Sequence, residues 1–159
     1  MDGETSTNTL DLELRHNWTG VLIEPSPINF GAMLKKNRKA ALIPTCLSLE
    51  KHPTYVRFWV LILRVVEIAF WQVTFAQNVG IGRILNKTEK PLYSHVPVAQ
   101  VHCMPFFSIY RVIARKEIDF FVLDIEGHEV EVLHTIPFEK INILVRILFY
   151  FCSNSNNSQ

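Results

Sequence analysis

An α/β domain built on a parallel sheet is the fold class this sequence predicts, and three observations predict it. Short apolar runs alternate with segments of helical periodicity along most of the chain. One run, Ile118 to Ile125 (IDFFVLDI), reads as a central strand, apolar enough to be covered on both faces and broken by Gly127. The length of 159 residues, with 48% hydrophobic and 19% charged residues, suits one folded domain with a sizeable core rather than a disordered chain.

The elements follow in order. Residues 5–16 are expected to form a first helix, with Leu10, Leu12 and Leu14 near one side. Gly20 then opens a short strand, Val21-Leu22-Ile23, which Glu24-Pro25-Ser26-Pro27 stops. Pro27 is placed to open a helix running to about Asn37, because proline at the first helical position loses no hydrogen bond. Ile28, Phe30, Met33 and Leu34 would form its core-facing stripe. Ala40 to Leu49 reads as the next strand. Phe58 to Ala76 reads as a buried or amphipathic helix. It is not read as a membrane span, because Arg64, Glu67 and Gln72 interrupt it and a charge at a bilayer centre costs roughly 2.5–3.5 kcal/mol. A turn at Gly80 and Gly82 and a polar loop follow. Gln100 to Pro105 is expected as a strand, Phe106 to Lys116 as a helix, Glu129 to His134 as the start of another helix, and Ile141 to Cys152 as a last strand. The tail, 151–159, is polar and expected to be disordered.

Composition excludes some functions. The formal charge of +1 provides no field for nucleic acid or anionic lipid, so a nucleic-acid partner is not expected. The basic run Lys35-Lys36-Asn37-Arg38-Lys39 reads as a solvated helix end. Three cysteines, Cys46, Cys103 and Cys152, show neither a CxxC pair nor zinc spacing. Residues 1–13 are acidic and polar, without the apolar core of a signal peptide. Asn17-Trp18-Thr19, Asn86-Lys87-Thr88 and Asn156-Asn157-Ser158 fit the glycosylation triplet, which matters only for a lumenal domain.

The strongest chemical signal is Leu123-Asp124-Ile125-Glu126-Gly127-His128-Glu129. Side chains alternate along a strand, so Asp124 and Glu126 point one way while Leu123 and Ile125 point into the core. Ligands of open α/β sheets bind beyond the carboxyl ends of the strands, where these two acids emerge. Taken alone, the pair serves equally well to cap the next helix, and Asp124, Glu126 and His128 could form a mixed oxygen and nitrogen metal set. Glu24, closing the strand 21–23, is the second signal, because a carboxylate there can accept both hydroxyls of a ribose. Gly80-Ile81-Gly82 lacks a third glycine at Leu85, so it is not a dinucleotide fingerprint, and no nucleophile elbow occurs.

Together these residues resemble the FkbM-type methyltransferase domain, in the form found in Star-like proteins of insects and other invertebrates. The pieces that match, in family order, are Asp2-Gly3-Glu4 with Asn8-Thr9-Leu10, VLIEPSP at 21–27, KKNRKA at 35–40, CLS at 46–48, VHCMPF at 101–106, IDFFVLDIEGHEVEVL at 118–133 and IPFEKINI at 136–143. The resemblance implies a Rossmann-like class I methyltransferase fold over 1–150, with S-adenosylmethionine lying across its strand ends. Asp2 and Gly3 would end the glycine loop beside the methionine part of the cofactor. Glu24 would take the ribose, Leu47 and Ser48 would lie near the adenine, and Asp124 and Glu126 would border the methyl-transfer site as catalytic residues that orient or deprotonate an acceptor hydroxyl, Asp124 also contacting the cofactor. In the family a hydrophobic strand precedes the Asp-Gly-Glu, whereas Met1 stands directly before Asp2 here, so the domain is expected to lack its first strand. The block at about 58–78 has no family counterpart and reads as an insertion, and the sequence diverges after Ile143.

Two functions follow from the resemblance. One is O-methylation of a small molecule or glycan. The other is a non-catalytic module that moves membrane-protein cargo, growth-factor precursors, through the endoplasmic reticulum, Golgi and endosomes. On the second reading the domain is lumenal, and Cys46 and Cys103, both on strands, are expected to form a disulfide.

Overall fold

The computed structural model describes residues 3–4, 7–62, 66–69, 72–75, 80–85, 98–113, 116–125 and 127–148. Asp2, Glu126, the expected polar loop and the tail at 151–159 lie outside them. The chain divides into two compact units, residues 1–46 with 55–103 and residues 47–54 with 104–159. Together they form a mixed α/β protein with small sheets.

The first unit begins with helix α1, Leu10–His16, which starts later than the sequence suggests. Its acidic first turn (Asp11, Glu13) and basic last turn (Arg15, His16) complement the helix dipole. Asn17, in the left-handed conformation at φ 57°, ends it. Strand β1, Val21–Ile23, leads into helix α2, Pro27–Met33. Ser26 caps α2, its Oγ accepting the Asn29 N–H at 3.3 Å, and Pro27 sits in the first turn as expected. A single tight turn, Leu34–Lys36, follows, and strand β2, Ala41–Ile43, returns to pair with β1 in parallel, Val21 opposite Ala41 and Ile23 opposite Ile43. This is a strand–helix–strand unit of the kind the alternating pattern predicts.

Strands β3 (Cys46–Leu47), β4 (Thr54–Ile62), β7 (Gly80–Leu85) and β8 (Val98–Met104) make a four-stranded sheet in the order β3-β8-β4-β7. Between β4 and β7 lie β5 (Val66–Ala69) and β6 (Gln72–Phe75), an antiparallel pair with Val66 opposite Phe75. Cys46 and Cys103 are joined in a disulfide across β3 and β8. Phe58, Val101 and Val56 pack around it. Closing a loop of sequence separation 57 stabilises the fold by roughly 4 kcal/mol in the chain-entropy view.

Three expectations are corrected here. The block from Phe58 to Ala76 is not a helix: its described residues lie on β4, β5 and β6. Gly80 and Gly82 are not a turn but the start of β7, paired antiparallel with Ile62 and Val60. The physical reason is composition, since valine, isoleucine, threonine, phenylalanine and tryptophan crowd this segment and all prefer the pleated conformation. No helix among the described residues is long and apolar enough to cross a membrane. The run Ala40 to Leu49 is likewise two strands, because Pro44 lacks the N–H that would continue one ladder.

The second unit holds helix α3, Phe106–Ile113, strand β9, Glu117–Leu123, helix α4, Glu129–Thr135, and strand β10, Asn142–Leu148. β9 and β10 pair in parallel, Ile118 opposite Ile143 and Leu123 opposite Leu148, with α4 as the crossover. Burial along β9 rises towards its carboxyl end: Glu117 and Asp119 are exposed, Phe121 and Leu123 buried. The rings of Phe106 and Phe121 meet at 4.9 Å between centroids, tilted by 56°, and Val132, Ile136 and Ile143 are buried too.

Not every predicted apolar stripe faces inward. Met33 is buried, but Ile28, Leu34 and Leu14 are exposed. The basic run is also more than a solvated helix end. The Arg38 side chain is 2% exposed and its Nε lies 3.0 Å from Glu13 Oε2. Its other nitrogens donate to the Gly3 carbonyl and, at 3.2 Å, to Thr9 Oγ1. The Lys39 N–H donates to Glu13 Oε1 at 2.8 Å, and Lys36 pairs with Glu4 at 2.8 Å. Burial alone would raise the Glu13 carboxyl, but the Lys39 N–H and the Arg38 guanidinium outweigh it and hold Glu13 below its ordinary value.

Removing one partner of such a pair leaves an unmatched buried charge, so Arg38→Met should lose roughly 3–5 kcal/mol of unfolding free energy in urea denaturation. A loss below about 1 kcal/mol, the scale of an exposed pair, would refute this. Because Glu13 is depressed in the folded chain, its contribution is complete above its unfolded value and is lost as pH falls through the lower folded value. Glu13→Gln should therefore flatten the acid limb of the stability profile, leaving that limb unchanged only if the pair contributes nothing.

Candidate functional site

In the first unit, Glu24 follows directly on β1. Its N–H continues the parallel ladder to the Ile43 carbonyl at 3.2 Å, and its Oε1 accepts the Ser26 N–H at 2.8 Å. The Glu-Pro-Ser-Pro sequence thus folds back so that the carboxylate is oriented at the carboxyl end of the parallel pair, half-buried. Gly3 is buried, with a positive φ of 82°, and a Cβ there would lie 3.0 Å from Met33 Cγ. Only glycine fits that backbone and that space. Arg38, bonded to the Gly3 carbonyl, holds the segment in place.

In the second unit, Leu47 and Ser48 are buried at the end of β3. The Ser48 N–H donates to the Met104 carbonyl at 2.9 Å. Its hydroxyl donates to the His52 carbonyl at 2.8 Å, accepts the Glu50 N–H at 3.1 Å and lies 3.1 Å from Thr54 Oγ1. The serine side chain therefore closes the 48–54 loop, and what it presents outward is the shape of that loop.

Asp124 stands one residue past β9, half-buried, so the strand ends two residues before the expected Ile125 and alternation along it does not set where Asp124 and Ile125 point. Burial, and then the negative charge of Glu129, push its carboxyl above the ordinary aspartate value. Glu129 is the residue that sequence reasoning undervalues. It is 2% exposed. Its Oε1 accepts the N–H of Ile125 at 2.9 Å, and both its oxygens accept the N–H of Gly127, at 3.2 and 3.1 Å. The turn from β9 into α4 is thus wrapped around a carboxylate belonging to the helix's own first residue. The hydrogen bonds that order this turn go to Glu129, so the capping task open to Asp124 is met by another acid. A signal for it exists in the sequence: an acid two residues after a glycine, at a helix start, can reach back to the turn's free N–H groups. His128 Nδ1 is buried without a hydrogen bond and lies 3.6 Å from Glu131 Oε1.

Gly127 has φ 105°, with nothing within 4 Å of a Cβ built on it, so its backbone and not its surroundings demands glycine. Among the described residues no three histidine, cysteine or acidic side chains gather as a metal set. Glu126, which the metal reading requires, lies outside them. Gly3 and Glu24 belong to the first unit, and Leu47, Ser48 and Asp124 to the second.

The family model described as the Methyltransferase FkbM domain matches residues 1–156. No curated protein and no solved structure matches the chain.

Asp124→Asn tests the perturbed carboxyl. A carboxyl raised on folding binds more protons in the folded chain, so stability declines as pH rises from the unfolded value through the raised one. Asp124→Asn should therefore be more stable than the parent at pH 7 and equal to it at pH 3. Equal stability at both would show an unperturbed group.

Proposed function

Because this chain belongs to the FkbM methyltransferase-domain family, we propose that it binds S-adenosylmethionine on a Rossmann-like class I fold and transfers methyl to an oxygen of a small molecule or glycan. The observation that carries this reading is Asp124, a half-buried carboxyl held above its ordinary value at the carboxyl end of a parallel strand, beside a turn that Glu129 makes rigid. The residues present suit the cofactor. Glu24 gives a half-buried carboxylate, oriented by the Ser26 N–H, at the carboxyl end of a parallel strand, as a ribose-binding acid requires.

The cofactor, when bound, supplies an electrophilic methyl group. The chain's own residues divide the remaining work. Glu24 accepts hydrogen bonds from the ribose hydroxyls, while Asp2 and Gly3 line the methionine part. Leu47 and the Ser48 loop provide an apolar and tightly closed border for the adenine. Asp124, with Glu126, accepts the proton of the acceptor hydroxyl, and a carboxyl with a raised value is the better base near neutral pH. The sequence features shared with Star-like proteins support membership of that branch of the family. The trafficking reading draws no support from any comparison.

Isothermal titration with S-adenosylmethionine is the decisive measurement. Saturable binding is expected, and no detectable heat at millimolar ligand would remove the proposal. Glu24→Ala should weaken binding by roughly 10- to 100-fold, the loss of one or two hydrogen bonds to a charged group. Asp124→Asn should lower turnover by roughly 10²–10⁴-fold, the contribution of a base to rate, with a much smaller loss of affinity.

A further inference from the structure

We propose that Asn17 is a modification site: it carries an N-linked glycan, acquired as the chain folds in an oxidising secretory lumen. Two independent observations meet here. The first is the disulfide between Cys46 and Cys103, whose residues are 5% and 0% exposed. A structural disulfide in the core of a sheet persists in secretory compartments and not in a thiol-reducing cytosol. The second is the geometry of Asn17-Trp18-Thr19, the one glycosylation triplet that lies wholly among the described residues. Asn17, Trp18, Thr19 and Gly20 are all exposed and lie outside any helix or strand. Asn17 itself ends α1 in a left-handed conformation and the Trp18 N–H returns to the Leu12 carbonyl at 3.2 Å, after which the triplet continues as exposed chain outside any helix or strand, within reach of an enzyme.

The chemistry at the amide fits. Lys39 Nζ donates to Asn17 Oδ1 at 2.6 Å. Glycosylation uses the other atom: Nδ2 bonds to the anomeric carbon of a lipid-diphosphate-linked oligosaccharide, the carbon–oxygen bond to the diphosphate breaks, and Nδ2 releases one proton. Oδ1 is unchanged, so the Lys39 bond survives the modification and orients the glycan's root. Asn17 also lies on the safe side of β1. The loop 17–20 enters the strand at its amino end, whereas Glu24 stands at the carboxyl end, about 13 Å from Gly20 along the strand. A glycan there leaves the Glu24 end open. The inference is independent of the methyltransferase reading, because neither the triplet nor the disulfide enters it.

The test uses the endogenous protein, alkylated on lysis and digested for mass spectrometry with and without peptide-N-glycosidase. The expected result is a glycosylated Asn17 peptide from which the enzyme removes the sugar, leaving aspartate where the asparagine stood. Cys46 and Cys103 should be recovered in the same digest as a disulfide-linked peptide. Thr19→Ala, which keeps Asn17 and its Lys39 bond, should abolish the glycan, and Thr19→Ser should restore it. An unmodified Asn17 peptide, or Cys46 and Cys103 recovered as alkylated free thiols, overturns the proposal. So does a glycan that persists at Asn17 in Thr19→Ala, since its attachment would then not follow the triplet.

Discussion

A guanidinium taken out of water must find partners for its charge and its N–H groups, and the amino-terminal part of this protein is organised around that requirement. Arg38, 2% exposed at its side chain, reaches back to Glu13 in the first helix, to Thr9 before it and to the Gly3 carbonyl. The Arg38–Glu13 pair crosses 25 residues of sequence. It ties the loop at Gly3, α1 and the turn after α2 to one another. Exposed ion pairs such as Asp11–Arg15 are a different case, because water screens them and they decide little. The arginine also anchors the Gly3 backbone, at a point where any side chain would meet Met33. The segment proposed to receive the cofactor is thus held by a buried charge as much as by apolar packing.

The second unit solves a related problem with the opposite charge. Where β9 ends, the chain must turn into α4, and the N–H groups of the turn have no ladder to join. Glu129 accepts those of Ile125 and Gly127, while Gly127 supplies the positive φ. The consequence reaches Asp124. Partial burial, together with a second carboxylate fixed nearby, disfavours the ionised form. Structural and chemical roles are thus separated between two acids on one turn, one holding the backbone and the other left with a perturbed carboxyl.

Much of this is legible in the residues and some is not. Val21-Leu22-Ile23 and Pro27 at the opening of α2 stand where local patterns place them, because proline, glycine and short apolar runs act through their own backbone, whereas the strand expected over 118–125 stops at Leu123. The block after Phe58 reads as helix and folds as strands. An apolar run without clear periodicity suits either, and its wealth of β-branched and aromatic residues is the cue that decides. Of the candidate site residues, Gly3, Glu24, Leu47, Ser48 and Asp124 fall among those described, each at the end of a strand or in a constrained turn. Ser48 turns inward to close its own loop, a preference of serine that no spacing rule captures.

By itself the sequence determined the two parallel strand–helix–strand units, the family and the acids at the strand ends, since these depend on periodicity, on turn-forming residues and on contiguous motifs. Only the tertiary structure decided that Arg38 is a buried partner of Glu13 and of the Gly3 carbonyl and not a surface cation, and only it joined Cys46 to Cys103 as the trafficking reading expects. Each of these joins groups through space, and the free energy of burying a charge or closing a long loop depends on what stands opposite, which no local pattern encodes.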